Sequence, residues 1–140
     1  MRTSTYLATP NIAVVKYWGR KTGNLNIPLN SSISATMDES LKTVTSVEFA
    51  PSLKKDRFLL NGKKAAPAEL ARVKKVLDAI REKAKIKEKA SVISSNNFPT
   101  AAGIASSASG FAALACAACD AAGLKASTKQ LSIFARIGSG

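Results

Sequence analysis

Residues Asn96–Ala115 read NNFPTAAGIASSASGFAALA, and the order of residue types within them decides how the chain is built. Pro99 and Gly103 punctuate the first half, Ser106, Ser107 and Ser109 follow, and nearly every later position is alanine or another apolar residue. That succession predicts a loop running into a helix from about Ser106 to Ala122, stopped by Gly123. The start of such a helix carries unpaired N–H groups and a partial positive charge, which favour an anion. Small residues ahead of it let the backbone approach a phosphate, and Gly103 allows backbone angles that side chains resist. The same pattern also describes a serine-capped helix packed closely through its alanines, and composition alone does not separate the two. A Walker A loop is excluded, because G-x-x-x-x-G-K-[ST] is absent.

Working towards the N-terminus, ASVISSNNFP predicts a short strand over Ser91 to Ser94. Before it, Leu70, Val73, Leu77, Ile80 and Ala84 fall on one helical face, with Pro67 suited to the first turn. RFLLNGKK places Asn61-Gly62 at a hairpin turn, and KTVTSVEFA and SSISATM read as strands rich in β-branched or alternating residues. KTGNLNIPLN, residues 21–30, is turn-rich, and Ile12, Val14 and Val15 suggest a strand that Gly19 breaks. Beyond Gly123, STKQLSIFARI predicts a third helix capped by Ser127 or Thr128, with Leu131, Phe134 and Ala135 on one face, running into a glycine-serine turn. Strands first, then helices with one strand between them, make the class α+β.

At 46% hydrophobic and 21% charged residues the chain is globular rather than disordered. Its most apolar run, Gly110 to Ala118, is about half of what spans a bilayer, and the N-terminus lacks the apolar core of a signal peptide. The expectation is a cytoplasmic protein with no membrane partner. The net charge is +12, of which Ser52 to Ala90 supply +8. Such an excess suits polyanionic partners, although most of these lysines read as a solvated helix face. Cys116 and Cys119 sit at helical spacing without a second pair or any histidine, so a zinc site is not expected and they read as small core residues. The lack of histidine also excludes a Ser-His pair, leaving acid–base work to carboxylates or lysine. Asp38, Asp56, Asp78 and Asp120 all read as surface carboxylates, none an evident base. In NIAVVKYWGR, Lys16 and Arg20 flank Tyr17 and Trp18, a set that suits a phosphorylated or carboxylated ligand or an edge strand with snorkelling cations.

Taken together, ATPNIAVVKYWGR (Ala8 to Arg20), LNIPLNSSISATM (Leu25 to Met37), the 96–115 stretch and ARIGSG (Ala135 to Gly140) resemble the mevalonate diphosphate decarboxylase branch of the GHMP kinase superfamily. The motifs are collinear and cover almost the whole chain. The resemblance implies a ribosomal S5 domain 2-like N-terminal domain of the GHMP kinase fold over residues 1–140, which would be a truncated portion with its C-terminal domain absent. It implies ATP and Mg2+ as cofactors and mevalonate 5-diphosphate as substrate. The reaction would phosphorylate the tertiary hydroxyl, then lose phosphate and carbon dioxide to give isopentenyl diphosphate for isoprenoid biosynthesis.

On the same resemblance, Tyr17, Trp18, Gly19, Arg20, Arg72, Ser139 and Gly140 would bind substrate. Pro99, Thr100, Ala101, Ala102, Gly103, Ala105, Ser106, Ser107 and Ser109 would form the ATP-phosphate loop, with Ser94 and Asn96 near the nucleotide. Ser106 and Ser107 would lie nearest the magnesium ion. The family usually has lysine where Arg20 stands, and arginine forks differently around a phosphate. The family's catalytic aspartate falls past Gly140, so no residue here takes that role. A homodimer of the full-length protein is the expected assembly. Two other functions stay open: a mevalonate 3-kinase or phosphomevalonate decarboxylase of the same superfamily, and a basic nucleic-acid-binding module. The few aromatics, not interleaved with the basic patch, disfavour the last.

Overall fold

The computed structural model describes residues 2–16, 19–23, 26–99 and 106–139. Seven strands and three helices follow in the order β1 (Arg2–Ala8), β2 (Asn11–Val15), β3 (Ile33–Thr36), β4 (Thr43–Ala50), β5 (Arg57–Leu60), β6 (Lys63–Lys64), α1 (Pro67–Ala84), β7 (Lys89–Asn96), α2 (Ser106–Ala121) and α3 (Thr128–Ser139). Five strands form one sheet in the order β1-β4-β7-β5-β6, while β2 and β3 pair separately. All neighbours are antiparallel except β5 and β7, which run parallel with α1 between them in the chain. This is the expected α+β class.

The central strand β4 shows why the layers form. Thr43, Thr45, Val47 and Phe49 alternate inward and are buried, as period-two geometry requires. Opposite them in register stand Asn96, Ser94, Val92 and Ala90 of β7. The helices cover that face: α2 packs on β4 and β1, α3 packs on α2 and α1, and α1 reaches β5. Between them lies one core containing Val47, Phe49, Val76, Leu77, Ile80, Val92 and Leu114. Alanines 113, 115, 117 and 118 of α2 are essentially inaccessible, so their small size sets how closely this helix meets the sheet. On the opposite face Leu59 and Ile93 stand side by side and remain exposed among the described residues.

Local sequence explains the element ends. Pro67 starts α1 and the Glu69 carboxylate accepts from the Ala66 N–H at 2.9 Å, satisfying one free donor of the first turn. Asn61 and Gly62 take φ of 50° and 75°, the left-handed pair a type I′ hairpin needs. The β5–β6 hairpin therefore falls where the sequence placed it.

Four expectations change. β7 extends beyond Ser91 to Ser94, because both of its neighbours pair with it. β1 is a strand that apolar pattern did not announce: RTSTYLA buries only Ser4 and is held by backbone pairing to β4. The chain before Gly140 is not a turn, since α3 continues through Gly138 and Ser139. Gly138 serves close approach instead: a Cβ there would lie 2.1 Å from the Phe111 ring. Finally, Asp56 is no surface group. It is 8% exposed and joined to the buried Arg81 by two hydrogen bonds, one to each oxygen.

Candidate phosphate-binding cleft

The inward face of β4 and β7 changes character along its length. At one end Phe49 pairs with Ala90 and Val47 with Val92; at the other Thr45 pairs with Ser94 and Thr43 with Asn96. The apolar end builds the core. The polar end lies under the first turn of α2, and its buried hydroxyls must find partners there or pay desolvation. They do: Thr45 Oγ1 meets Ser94 Oγ at 2.8 Å, Thr43 Oγ1 donates to Asn96 Oδ1 at 2.8 Å, and Thr43 and Ser109 hydroxyls meet at 2.7 Å. No buried side-chain nitrogen or oxygen is left unsatisfied among the described residues.

Beside this polar end opens a cleft of about 150 Å³. Ser94 and Asn96 come to it from β7, Ser106 and Ser107 from the start of α2, and Arg72 from α1. One wall is thus cationic, and the other offers hydroxyls at a helix N-terminus, where backbone N–H groups and the helix dipole add positive potential. Phe111 and Leu114 line it with apolar surface. Glu69 is the one carboxylate among the described lining residues, and it is engaged at the Ala66 N–H.

Arg72 links the cleft to the end of α3. Its Nε and Nη2 donate to the Gly138 carbonyl at 2.9 and 2.6 Å, and its guanidinium stands 5.0 Å from the Phe111 ring centroid. Carbonyls at a helix C-terminus are unpaired and attract cations, so Arg72 is held where both demands meet. The same helix end receives Asn26, whose Nδ2 donates to the Arg136 and Ile137 carbonyls, each at 3.1 Å. Asn26 Oδ1 in turn accepts from Arg20 at 3.0 Å. Arg20, Asn26, Arg72 and Ser139 therefore gather around one helix terminus. Gly19 fits this loop because a Cβ would lie 2.8 Å from Leu29.

Sequence reasoning missed Asn26. Its signal was present in the turn-rich stretch 21–30, and asparagine tolerates the left-handed φ of 48° found there. Thr43 and Thr45 were also missed, since a threonine in a strand reads as β-propensity. Ser109 takes a different part from the one expected: it is 1% exposed and its hydroxyl faces Thr43 and the Ser106 carbonyl. Pro99 is exposed and follows the end of the cleft strand by three residues. Tyr17, Trp18, Thr100, Ala101, Ala102, Gly103, Ala105 and Gly140 lie outside the described residues.

A second hollow, of about 410 Å³, is lined by Arg2, Tyr6, Cys116, Cys119, Asp120 and others, but by no expected site residue. Burial first, then the neighbouring Cys116, pushes the Cys119 thiol up to about 11, so it is an unreactive core group. Asp120 accepts from Arg2 at 2.9 Å and from Ser4 at 2.6 Å. Asp38 is exposed, with its pKa lowered by the Ser40 side chain and then the Ser40 backbone N–H.

The donor set of the cleft, hydroxyls with a guanidinium and helix N–H groups, fits phosphate oxygens. The described residues hold no group of three or more His, Cys, Asp or Glu able to grip a metal. A magnesium ion would then be held through phosphate oxygens, with Ser106 or Ser107 supplying a hydroxyl. No helix among the described residues is long and apolar enough to cross a membrane.

Residues 8–140 match the sequence model of the diphosphomevalonate decarboxylase-like N-terminal domain. The chain belongs to that family. It is 40% identical to the diphosphomevalonate decarboxylase of Candida albicans over 151 residues, which take in 100% of this chain and 42% of the relative. The crystal structure of mevalonate diphosphate decarboxylase from Staphylococcus aureus resembles it with a TM-score of 0.91 at 46% identity, over 99% of this chain and 42% of that one. A solved chain designated MDDEF, in complex with MVAPP, AMPPCP and magnesium, gives 0.91 at 44% identity, over 99% and 42%. The chain thus spans about 42% of the length of these relatives. The fold shared with these structures takes in the sheet and the three helices.

Proposed function

We propose that the chain serves ATP-dependent decarboxylation of mevalonate 5-diphosphate to isopentenyl diphosphate in the cytoplasm, as the ATP- and substrate-binding part of a diphosphomevalonate decarboxylase. The observation that carries this reading is the convergence of Arg72 with Ser94, Asn96, Ser106 and Ser107 on one cleft. It is supported by family membership and by the complex of MDDEF with MVAPP (mevalonate diphosphate), the ATP analogue AMPPCP and magnesium.

When bound, ATP with Mg2+ supplies the phosphoryl group that makes the tertiary hydroxyl a leaving group. The chain's own residues do the positioning. Ser106 and Ser107 donate to phosphate oxygens at the start of α2, where the helix dipole lowers the cost of gathering negative charge. Asn96 and Ser94 fix the floor. Arg72, always charged and forked, holds the diphosphate of the substrate, and Arg20 adds a second cation steadied by Asn26. Phe111 backs the Arg72 guanidinium and keeps water from one side of it. Holding the two ligands side by side converts their encounter into an effectively intramolecular one, which lowers the barrier without any base from this chain.

The test is turnover by the complete gene product with mevalonate, its 5-phosphate and its 5-diphosphate. ADP and carbon dioxide are expected in equal amounts, and chiefly from the diphosphate. ADP release from mevalonate without carbon dioxide would instead make the protein a 3-kinase.

A further inference from the structure

Thr43 occupies a junction that the ligand roles above do not use. It is 0% exposed, donates to Asn96 Oδ1 at 2.8 Å and meets Ser109 Oγ at 2.7 Å. A hydroxyl has one proton. With that of Thr43 given to Asn96, the one proton of Ser109 is shared between Thr43 Oγ1 at 2.7 Å and the Ser106 carbonyl at 3.2 Å. The Asn96 amide is thereby oriented: its oxygen is taken up by Thr43, and Nδ2, its donor end, has no partner among the described residues at the cleft wall. Ser109 lies about one turn into α2. Tying it to β4 sets where the first turn, with Ser106 and Ser107, stands above the strand.

A valine at position 43 would match threonine in shape but leave Asn96 Oδ1 and the buried Ser109 hydroxyl without their common partner, so the Thr43 hydroxyl is there to hold those two groups. We propose that Thr43 is a positioning residue for nucleotide-phosphate binding, acting through the Asn96 amide and, by way of Ser109, through the first turn of α2. This rests on the nucleotide reading of the cleft. It makes the donor orientation at Asn96 and the height of Ser106 and Ser107 depend on one buried hydroxyl.

The experiment titrates the complete gene product, saturated with mevalonate 5-diphosphate, with AMPPCP and Mg2+, and separately titrates the free protein with mevalonate 5-diphosphate, in wild type, Thr43→Val, Ser109→Ala, the double variant and Thr43→Ser. Thr43→Val is expected to weaken nucleotide binding about tenfold, the worth of one well-placed hydrogen bond. Ser109→Ala should weaken it severalfold, and the double variant should be no worse than Thr43→Val, because both act through one contact. Thr43→Ser should restore wild-type affinity, and mevalonate 5-diphosphate should bind all variants alike. Undiminished nucleotide affinity in Thr43→Val overturns the proposal and leaves the nucleotide reading standing. So does equal weakening of both ligands in step with a lowered melting temperature. Wild-type protein that binds no nucleotide overturns both. If Thr43→Val fails to fold, Ser109→Ala decides the matter, and unchanged nucleotide binding in it overturns the proposal.

Discussion

Gly138 and Arg72 meet at a single atom, the Gly138 carbonyl oxygen, and each depends on the other's surroundings. Arg72 lies over Phe111, and Phe111 lies against the Cα of Gly138 so closely that any side chain there must displace the ring. Gly138→Ala should therefore destabilise the protein by about 1–3 kcal/mol through overpacking, even though alanine is the better helix former. Urea unfolding measures this, and an unchanged or raised midpoint would refute the packing account. The sequence made Gly138 conspicuous but suggested a turn, because glycine is usually read from backbone freedom. Here its value is the missing Cβ, which only the position of Phe111 reveals. Ser109 was misplaced for a similar reason. The family resemblance grouped it with the ligand-facing serines, and only the position of Thr43 reveals that its hydroxyl is buried against the strand beneath.

Among the elements, α1 was the most legible, since its apolar spacing was regular and Pro67 marked its start. Its inner face nevertheless holds more than apolar residues. Arg81 is buried there, bonded to Asp56, to the exposed Asp78 at 2.7 Å and to the Glu88 carbonyl at 2.9 Å, and it stands over Phe49. Asp56 also accepts from the Ala90 N–H at 2.8 Å. The pair thus joins the approach to β5, the last turn of α1 and the start of β7. Asp56→Ala takes away the buried counter-ion of Arg81 and leaves it only the exposed Asp78 and the Glu88 carbonyl, so it should cost about 3 kcal/mol. Chemical denaturation checks it; a loss below that of an ordinary surface substitution would mean water reaches Arg81 freely. Neither the ion pair nor β1 was legible beforehand. Asp56 sits among lysines in sequence, and the strand that pairs β1 lies more than thirty residues away. Contacts of that range leave no local signature. The hairpin at Asn61-Gly62 and the helix stop at Gly123 needed only neighbouring residues, and both fell where expected.

At the scale of the molecule, the sheet and its helices bring together groups that lie far apart in the chain. Arg72 and Ser106 belong to different halves of the phosphate reading, one assigned to substrate and one to nucleotide, and both line one cleft. Motif resemblance supplied those assignments, while hydropathy and charge supplied only the α+β class and a taste for anions. What neither could supply was adjacency, which follows from the order β1-β4-β7-β5-β6 and from α2 crossing β4. The exposed β2 and β3 residues Ile12, Val14 and Ile33 belong to this scale too, for they add nothing to the core described here. The most direct test of the account is a crystal structure of the complete gene product with mevalonate 5-diphosphate, AMPPCP and Mg2+. The account predicts nucleotide phosphates against Ser106 and Ser107 and the substrate's diphosphate on Arg72, in one continuous cleft. Phosphates bound away from the start of α2, with Arg72 still committed to Gly138 and touching no ligand, would contradict it.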